Sequence, residues 1–207
     1  MPESRRRGSS AVVYDERRNL IYVSHGNVGG HATYAHSSPK ATGWLDIYNI
    51  STDQWEEGPT APNPRDHTGG ALLRNGQYLC VAGGRDSGRL GWPAVPETDC
   101  FDLESNTWSV ETSIPVPRAG SSYGSSCDGQ YLLLAGGELG NSVYSQCSAF
   151  DGTSWTTLPN LQIARHGSGL AVDCNDATDM IYIASGSGGP RGGPELTSVE
   201  AIRFGSI

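Results

Sequence analysis

Arg65-Asp66-His67-Thr68-Gly69-Gly70-Ala71-Leu72-Leu73 leads through Arg74-Asn75-Gly76-Gln77 into Tyr78-Leu79-Cys80-Val81-Ala82-Gly83-Gly84-Arg85-Asp86. Two short apolar runs about an Asn-Gly dipeptide predict a β-hairpin, because Asn and Gly tolerate the positive φ that a tight primed turn demands. The chain is expected to reverse at Asn75-Gly76. The charged start of the stretch (Arg65, Asp66, His67) and its charged end (Arg85, Asp86) then lie at the same end of the hairpin.

The stretch has relatives within the chain. An arginine followed by small or polar residues recurs at Arg7, Arg65, Arg118 and Arg165, in steps of 58, 53 and 47 residues. A second apolar run closes on small residues each time, at His25-Gly26, Gly83-Gly84, Gly136-Gly137 and Ser185-Gly186. An aromatic followed by a tryptophan completes three of the four: Tyr48 with Trp55, Phe101 with Trp108, Phe150 with Trp155. A period near 50 with short alternating runs and no helical stretch predicts repeated four-stranded units.

These residues resemble the kelch repeat, whose marks are a diglycine after the second strand and an aromatic and a tryptophan in the third and fourth. The resemblance covers the whole chain and implies an all-β propeller, each repeat forming one radial blade of four antiparallel strands. One propeller domain over residues 1–207 is expected, with repeats at about 5–62, 63–115, 116–162 and 163–207. The first and fourth repeats depart from the pattern at His25 and Ser185, and the last lacks its closing strand. Complete kelch propellers usually have about six or seven blades. Met1-Pro2 resembles a linker between blades, so the expectation is a piece of a longer propeller, or two arcs closing as a homodimer.

Composition narrows the function. An apolar fraction of 36% with 28 Gly and 12 Pro fits a turn-rich β protein. The net charge of −8 argues against nucleic acid, whose phosphates call for a basic surface. No apolar run approaches the roughly 18 residues of a membrane span. Lys40 is the only lysine, so positive charge is almost all arginine, suited to fixed planar ion pairs. The five cysteines cannot all pair; Cys80 with Cys100, or Cys127 with Cys147, are placed to meet, leaving Cys174 over. Asn49-Ile50-Ser51 matches a glycosylation acceptor, which has meaning only in a secreted chain.

In a four-stranded meander the turn into the first strand and the turn out of the second share one face. That reasoning gathers His25, His31, His36, His67 and His166 at one end, with Arg65, Asp66, Arg85, Asp86, Arg89, Arg165 and Arg191. The arginines entering first strands are expected to serve the fold, bonding carbonyls or a carboxylate, with Asp66 and Asp86 as candidate partners. His67 and His166 are read as occupying matching positions. The connections 27–43, 85–96 and 187–194 differ between repeats, as interaction loops on a rigid scaffold do. Trp44 and Trp92 stand outside the repeat pattern and are candidates for stacking on a sugar or for a partner's hot spot, or for plugs beneath their loops.

The expected binding residues are therefore His67, His166, Arg85, Asp86, Trp44 and Trp92, in a non-catalytic module for a protein or carbohydrate ligand. No cofactor or metal is expected: the cysteine spacing follows no metal-ligand pattern, and His67 and His166 are read as making structural hydrogen bonds in preference to binding a metal. The alternative is a fragment or relative of the kelch-type carbohydrate oxidases similar to galactose oxidase. Those need two tyrosines, two histidines and a cysteine cross-linked to a tyrosine, and no adjacent Tyr-His pair is present to carry that role. Gly167-Ser168-Gly169 lies at a strand start and is no nucleophile elbow.

Overall fold

A computed structural model describes residues 1–29, 40–175 and 180–204. His31 and His36 lie outside the described residues, as does most of the 27–43 connection. Among the described residues no helix is long and apolar enough to cross a membrane.

Four antiparallel sheets follow one another along the chain. The first contains β1 (Ala11–Asp15), β2 (Leu20–Val28), β3 (Lys40–Asn49) and β4 (Gln54–Gly58), in that order. The second repeats it with β5 (Gly69–Leu73), β6 (Tyr78–Ala82), β7 (Thr98–Asp102) and β8 (Thr107–Glu111). In the third, β9 (Ser122–Ser125) and β10 (Leu132–Ala135) precede a small ribbon, β11 (Glu138–Leu139) with β12 (Ser142–Val143). The sheet then resumes with β13 (Cys147–Phe150) and β14 (Trp155–Leu158). The fourth has three strands, β15 (Gly169–Asp173), β16 (Met180–Ala184) and β17 (Val199–Arg203). First strands are neighbours across blades, β1 beside β5, β5 beside β9 and β9 beside β15. This is the four-blade propeller arrangement, with three strands in the last blade among the described residues.

The repeat signature has a direct structural meaning. Tyr48 faces Trp55, Phe101 faces Trp108 and Phe150 faces Trp155 as directly opposed cross-strand pairs. Their ring centroids lie 5.0, 5.2 and 5.1 Å apart, within the range of favourable aromatic packing. The core lies between blades: Leu79, Val81 and Phe101 of the second pack on Ala11, Tyr22 and Leu45 of the first. Leu133 and Ala149 of the third likewise meet Ile181, Ile183 and Ile202 of the fourth.

The opening hairpin forms, with a longer turn than the Asn-Gly pair alone suggests. Leu73 pairs with Tyr78, leaving a four-residue connection at 74–77. Arg74, Asn75 and Gly76 all take left-handed φ values of 50°, 59° and 76°.

The cysteines correct one expected pairing. Cys80 and Cys100 are bonded, as neighbours facing each other across β6 and β7. Cys127 pairs with Cys174, not Cys147. Both follow the first strand of their blades and so come together at the same end of adjacent blades. Cys147 starts a third strand, is buried inside its sheet and stays a free thiol. Burial pushes that thiol up to about 11.

The four repeat arginines are fold elements. Arg65, Arg118 and Arg165 have no exposed surface. Each reaches under its own blade to carbonyls at the end of the second strand: Arg65 to Gly83, Arg118 to Gly136 and Arg165 to Ser185. Arg7 does the same with Val23 and His25. Their carboxylates come from the third strands, Asp46 for Arg7, Asp99 for Arg65 and Glu200 for Arg165. Asp66 and Asp86 are therefore not the partners; Asp66 points the other way, into the site described next.

Candidate functional site

Each blade contributes the same short backbone bridge at the end of the propeller that holds the diglycine turns. The residue after the arginine pairs with the residue after the second glycine position: Gly8 with Asn27, Asp66 with Arg85, Ala119 with Glu138, His166 with Ser187. The side chains from these positions form a polar chain that runs from blade to blade. Asn27 Nδ2 donates to Asp66 Oδ2 at 3.3 Å. Asp66 Oδ1 accepts from His67 Nδ1 and from Ser87 Oγ, the latter at 2.7 Å. Arg85 donates to His67 Nε2 at 3.2 Å and to Glu138 Oε1 at 3.0 Å. Glu138 Oε2 takes the Arg191 backbone N–H at 2.9 Å and lies 3.7 Å from His166 Nε2.

The donors fix the ring protons. Arginine can only donate, so His67 Nε2 accepts and its proton sits on Nδ1, towards Asp66. His166 is opposite in role: its Nε2 donates to the Gly189 carbonyl at 2.9 Å. Burial by itself would raise the Asp66 carboxyl, but bonds from His67 and Ser87 outweigh it and hold the group below its usual range. The Glu138 carboxyl is held down in the same way by the Arg191 N–H, His166 and Arg85. The result is a rim whose charges are internally compensated.

Of the expected residues, the structure brings together His67, Arg85 and Trp92, whose ring lies 4.9 Å beneath the Arg85 guanidinium. It joins His166 to them through Glu138. Asp86 stands outside this chain: its carboxylate accepts the Gly88 N–H and shapes the loop, beside a cleft lined by Asn63, Arg89 and Glu97. Trp44 is in the first blade, where Arg5 and Arg7 stack on it at 4.8 and 5.8 Å. His25 does not join the face either. It is wholly buried: Nε2 donates to Asp99 Oδ2 at 3.4 Å, Nδ1 meets Ser24 Oγ at 2.7 Å, and the ring packs edge-on against Trp108 at 5.8 Å.

His67 and His166 turn out to be one residue out of register. His67 is two after its arginine, at φ 51°, the position filled by Ser9, Gly120 and Gly167 in the other blades. His166 is one after, in the extended bridging position. The sequence reading missed Glu138, the residue that ties three blades together. Its signal was its place, directly after Gly136-Gly137, in register with Arg85.

With this geometry in view, the comparisons with known proteins are informative. No family model matches the chain. The kelch-like protein terF of Aspergillus terreus is 29% identical over 178 residues, covering 83% of this chain and 37% of its own. Alpha-scruin of Limulus polyphemus is 30% identical over 138 residues, covering 66% of this chain and 14% of its own. The solved structure of YjhT superimposes with a TM-score of 0.69 at 15% identity, over 88% of this chain and 60% of that one. The chain is similar to kelch-repeat proteins and has the β-propeller fold. It spans well under half the length of these two relatives. Its polar chain occupies the end of the blades from which the variable loops 85–96 and 187–194 project.

Proposed function

We propose that this kelch propeller is a protein-binding module that engages its partner through the face carrying the diglycine turns, with the 85–96 loop as the contact. The observation that carries the reading is Leu90, which is 90% exposed at the tip of that loop. A single exposed leucine is ordinary on a protein surface. This one tops a loop whose stem is fixed on every side: Arg85 bridges Ala94, Asp86 N–H bonds the Pro93 carbonyl, and Trp92 packs under Arg85. Pre-ordering of this kind lowers the entropy cost of binding. Arg89, next to the leucine in the loop, is exposed as well, so a partner segment combining an apolar residue with a carboxylate matches the surface.

The test is selection of a displayed random-peptide library on the intact chain, followed by affinity measurements on variants. Binders are expected to lose affinity by about tenfold or more with Leu90→Glu and with Trp92→Ala. Peptides that bind both variants as tightly as the parent chain would place the contact elsewhere. A glycan array and copper analysis on the same preparation address the carbohydrate and oxidase alternatives directly, since a specific glycan or stoichiometric copper would displace this reading.

A further inference from the structure

We infer that Asn49 is an N-glycosylation site, used when the chain passes through a secretory compartment. Asn49-Ile50-Ser51 is the only Asn-x-Ser/Thr tripeptide in the sequence with a non-proline middle residue. The tripeptide occupies the turn joining β3 to β4, with Ile50 40% exposed and residues 51–54 open to solvent. The asparagine is arranged in a particular way there. Its Oδ1 accepts the backbone N–H groups of Ser51 and Thr52 at 3.0 and 3.1 Å. This Asx turn leaves Nδ2, the atom that would carry the sugar, without a partner among the described residues. An attached glycan would therefore displace no hydrogen bond of the fold.

A second, independent observation supplies the compartment. Two disulfides, Cys80–Cys100 and Cys127–Cys174, join residues 20 and 47 apart, one within a blade and one between blades. Bonds of this structural kind form and persist in oxidising environments, which are also where asparagine is glycosylated. The co-substrate is a lipid-pyrophosphate-linked oligosaccharide. The Asn49 Nδ2–C1 bond of the sugar forms as the C1–O bond to pyrophosphate breaks. The amide gives up one proton and the lipid pyrophosphate leaves with the bonding pair. The turn lies at the end of β3 away from the diglycine turns, so the glycan would project from the opposite end of the propeller from Leu90.

The experiment is secretion of the full chain from a eukaryotic host behind a cleavable leader. Intact mass is read before and after peptide-N-glycosidase, together with a non-reducing peptide map. The expected result is a single glycan-sized mass step that the glycosidase removes, absent in Asn49→Gln and Ser51→Ala and retained in Ser51→Thr. The map should show both disulfides, with Cys147 as the one thiol that alkylates after unfolding. Secreted parent chain without the mass step, or with a step that survives Asn49→Gln, overturns the inference. So does a map in which all five cysteines are thiols.

Discussion

At the residue scale, the diglycine explains itself through two different backbone requirements. The first position takes φ near 60° in all four blades, at His25, Gly83, Gly136 and Ser185. That is the ordinary left-handed region, which His25 and Ser185 occupy, although at Gly83 and Gly136 a Cβ would meet the carbonyl oxygen of Arg118 or Arg165 at 3.0 Å or closer. The second position lies at φ 116°, 101°, 123° and 93°, and it is glycine every time. A Cβ there would also meet a backbone oxygen, of Gly8, Asp66, Ala119 or His166, at 2.7–3.0 Å. Gly84→Ala is therefore expected to destabilise the chain by about 2–4 kcal/mol, whereas Ser185→Gly should stay within about 1 kcal/mol. Urea unfolding of the two variants separates them.

Arg118 is the odd one among the buried arginines. Ser148 stands opposite Leu134 in the register where Asp46, Asp99 and Glu200 face Val23, Val81 and Ile183. Arg118 bonds three carbonyls, of Gly136, Val116 and Gln146, and no carboxylate lies within ion-pair distance among the described residues. Since the cost of burying the guanidinium is already borne, Ser148→Asp is expected to stabilise by about 1–2 kcal/mol. A rise of roughly 2–8 °C in Tm would register it. A fall in Tm would show that the space beside Arg118 cannot take a carboxylate.

His25 gives the chain an acid sensitivity. Burial, opposed by the bond to Asp99 and assisted by Arg65 and Arg7, lowers its pKa from 6.5 to about 4. The unfolded chain takes up a proton below about pH 6.5 that the folded chain refuses until about pH 4. Stability from this group is thus complete above pH 6.5 and falls as the pH drops through that window, by about 2 kcal/mol between pH 7 and pH 5. His25→Asn, which keeps a residue suited to φ 61°, should remove most of that slope in urea titrations at the two pH values.

At the element scale, the blades are joined by a repeated set of contacts. Trp108 Nε1–H donates to the Pro59 carbonyl at the end of the preceding blade, and Trp155 Nε1–H donates to Thr112 in the same way. The Cys127–Cys174 bond adds a covalent link between the third and fourth blades on exposed surface, whereas Cys80–Cys100 is buried within the second. A mild reductant should open Cys127–Cys174 first, removing about 4 kcal/mol by the loop-entropy model. Hydrogen exchange should then quicken in β15, β16 and β17 and hardly change in β6 and β7. Equal acceleration in both regions would contradict this.

This is also the scale at which the sequence was most legible. Strand pairs, the Trp pairing and the role of the arginines follow from period and composition, because each is repeated and each repeat obeys the same local constraint. The site was less so. Arg85, His67 and Trp92 could be gathered because they flank one hairpin. Glu138 could not, because the residues after the diglycine differ in every repeat, Asn27, Arg85, Glu138 and Ser187, and only the bridging register makes them equivalent. Counting from the arginine alone also hides the one-residue offset between His67 and His166. Cys174 was left unpaired in the reading because apposition of turns in adjacent blades is a property of the arc, invisible within a repeat.

At the scale of the whole molecule, the arc has two outward sheet faces. Val12 and Tyr14 are 64% and 53% exposed on the first blade, and Tyr182 and Val199 are 39% and 61% exposed on the fourth. Apolar strand faces of this kind favour association. Light scattering of the isolated chain is expected to show a mass above that of one chain at high concentration, returning to one chain in the Val12→Lys, Val199→Lys double variant. A single-chain mass for the parent at every concentration would count against it.

The second glycine of each turn has one more property. Its N–H donates to the carbonyl of the next blade's arginine: Gly26 to Arg65 at 2.9 Å, Gly84 to Arg118 at 2.8 Å and Gly137 to Arg165 at 2.8 Å. The joint between blades is thus written in main-chain atoms, and what descent must preserve is a torsion angle and not a side chain. The same fold at 15% identity is compatible with a joint of that kind.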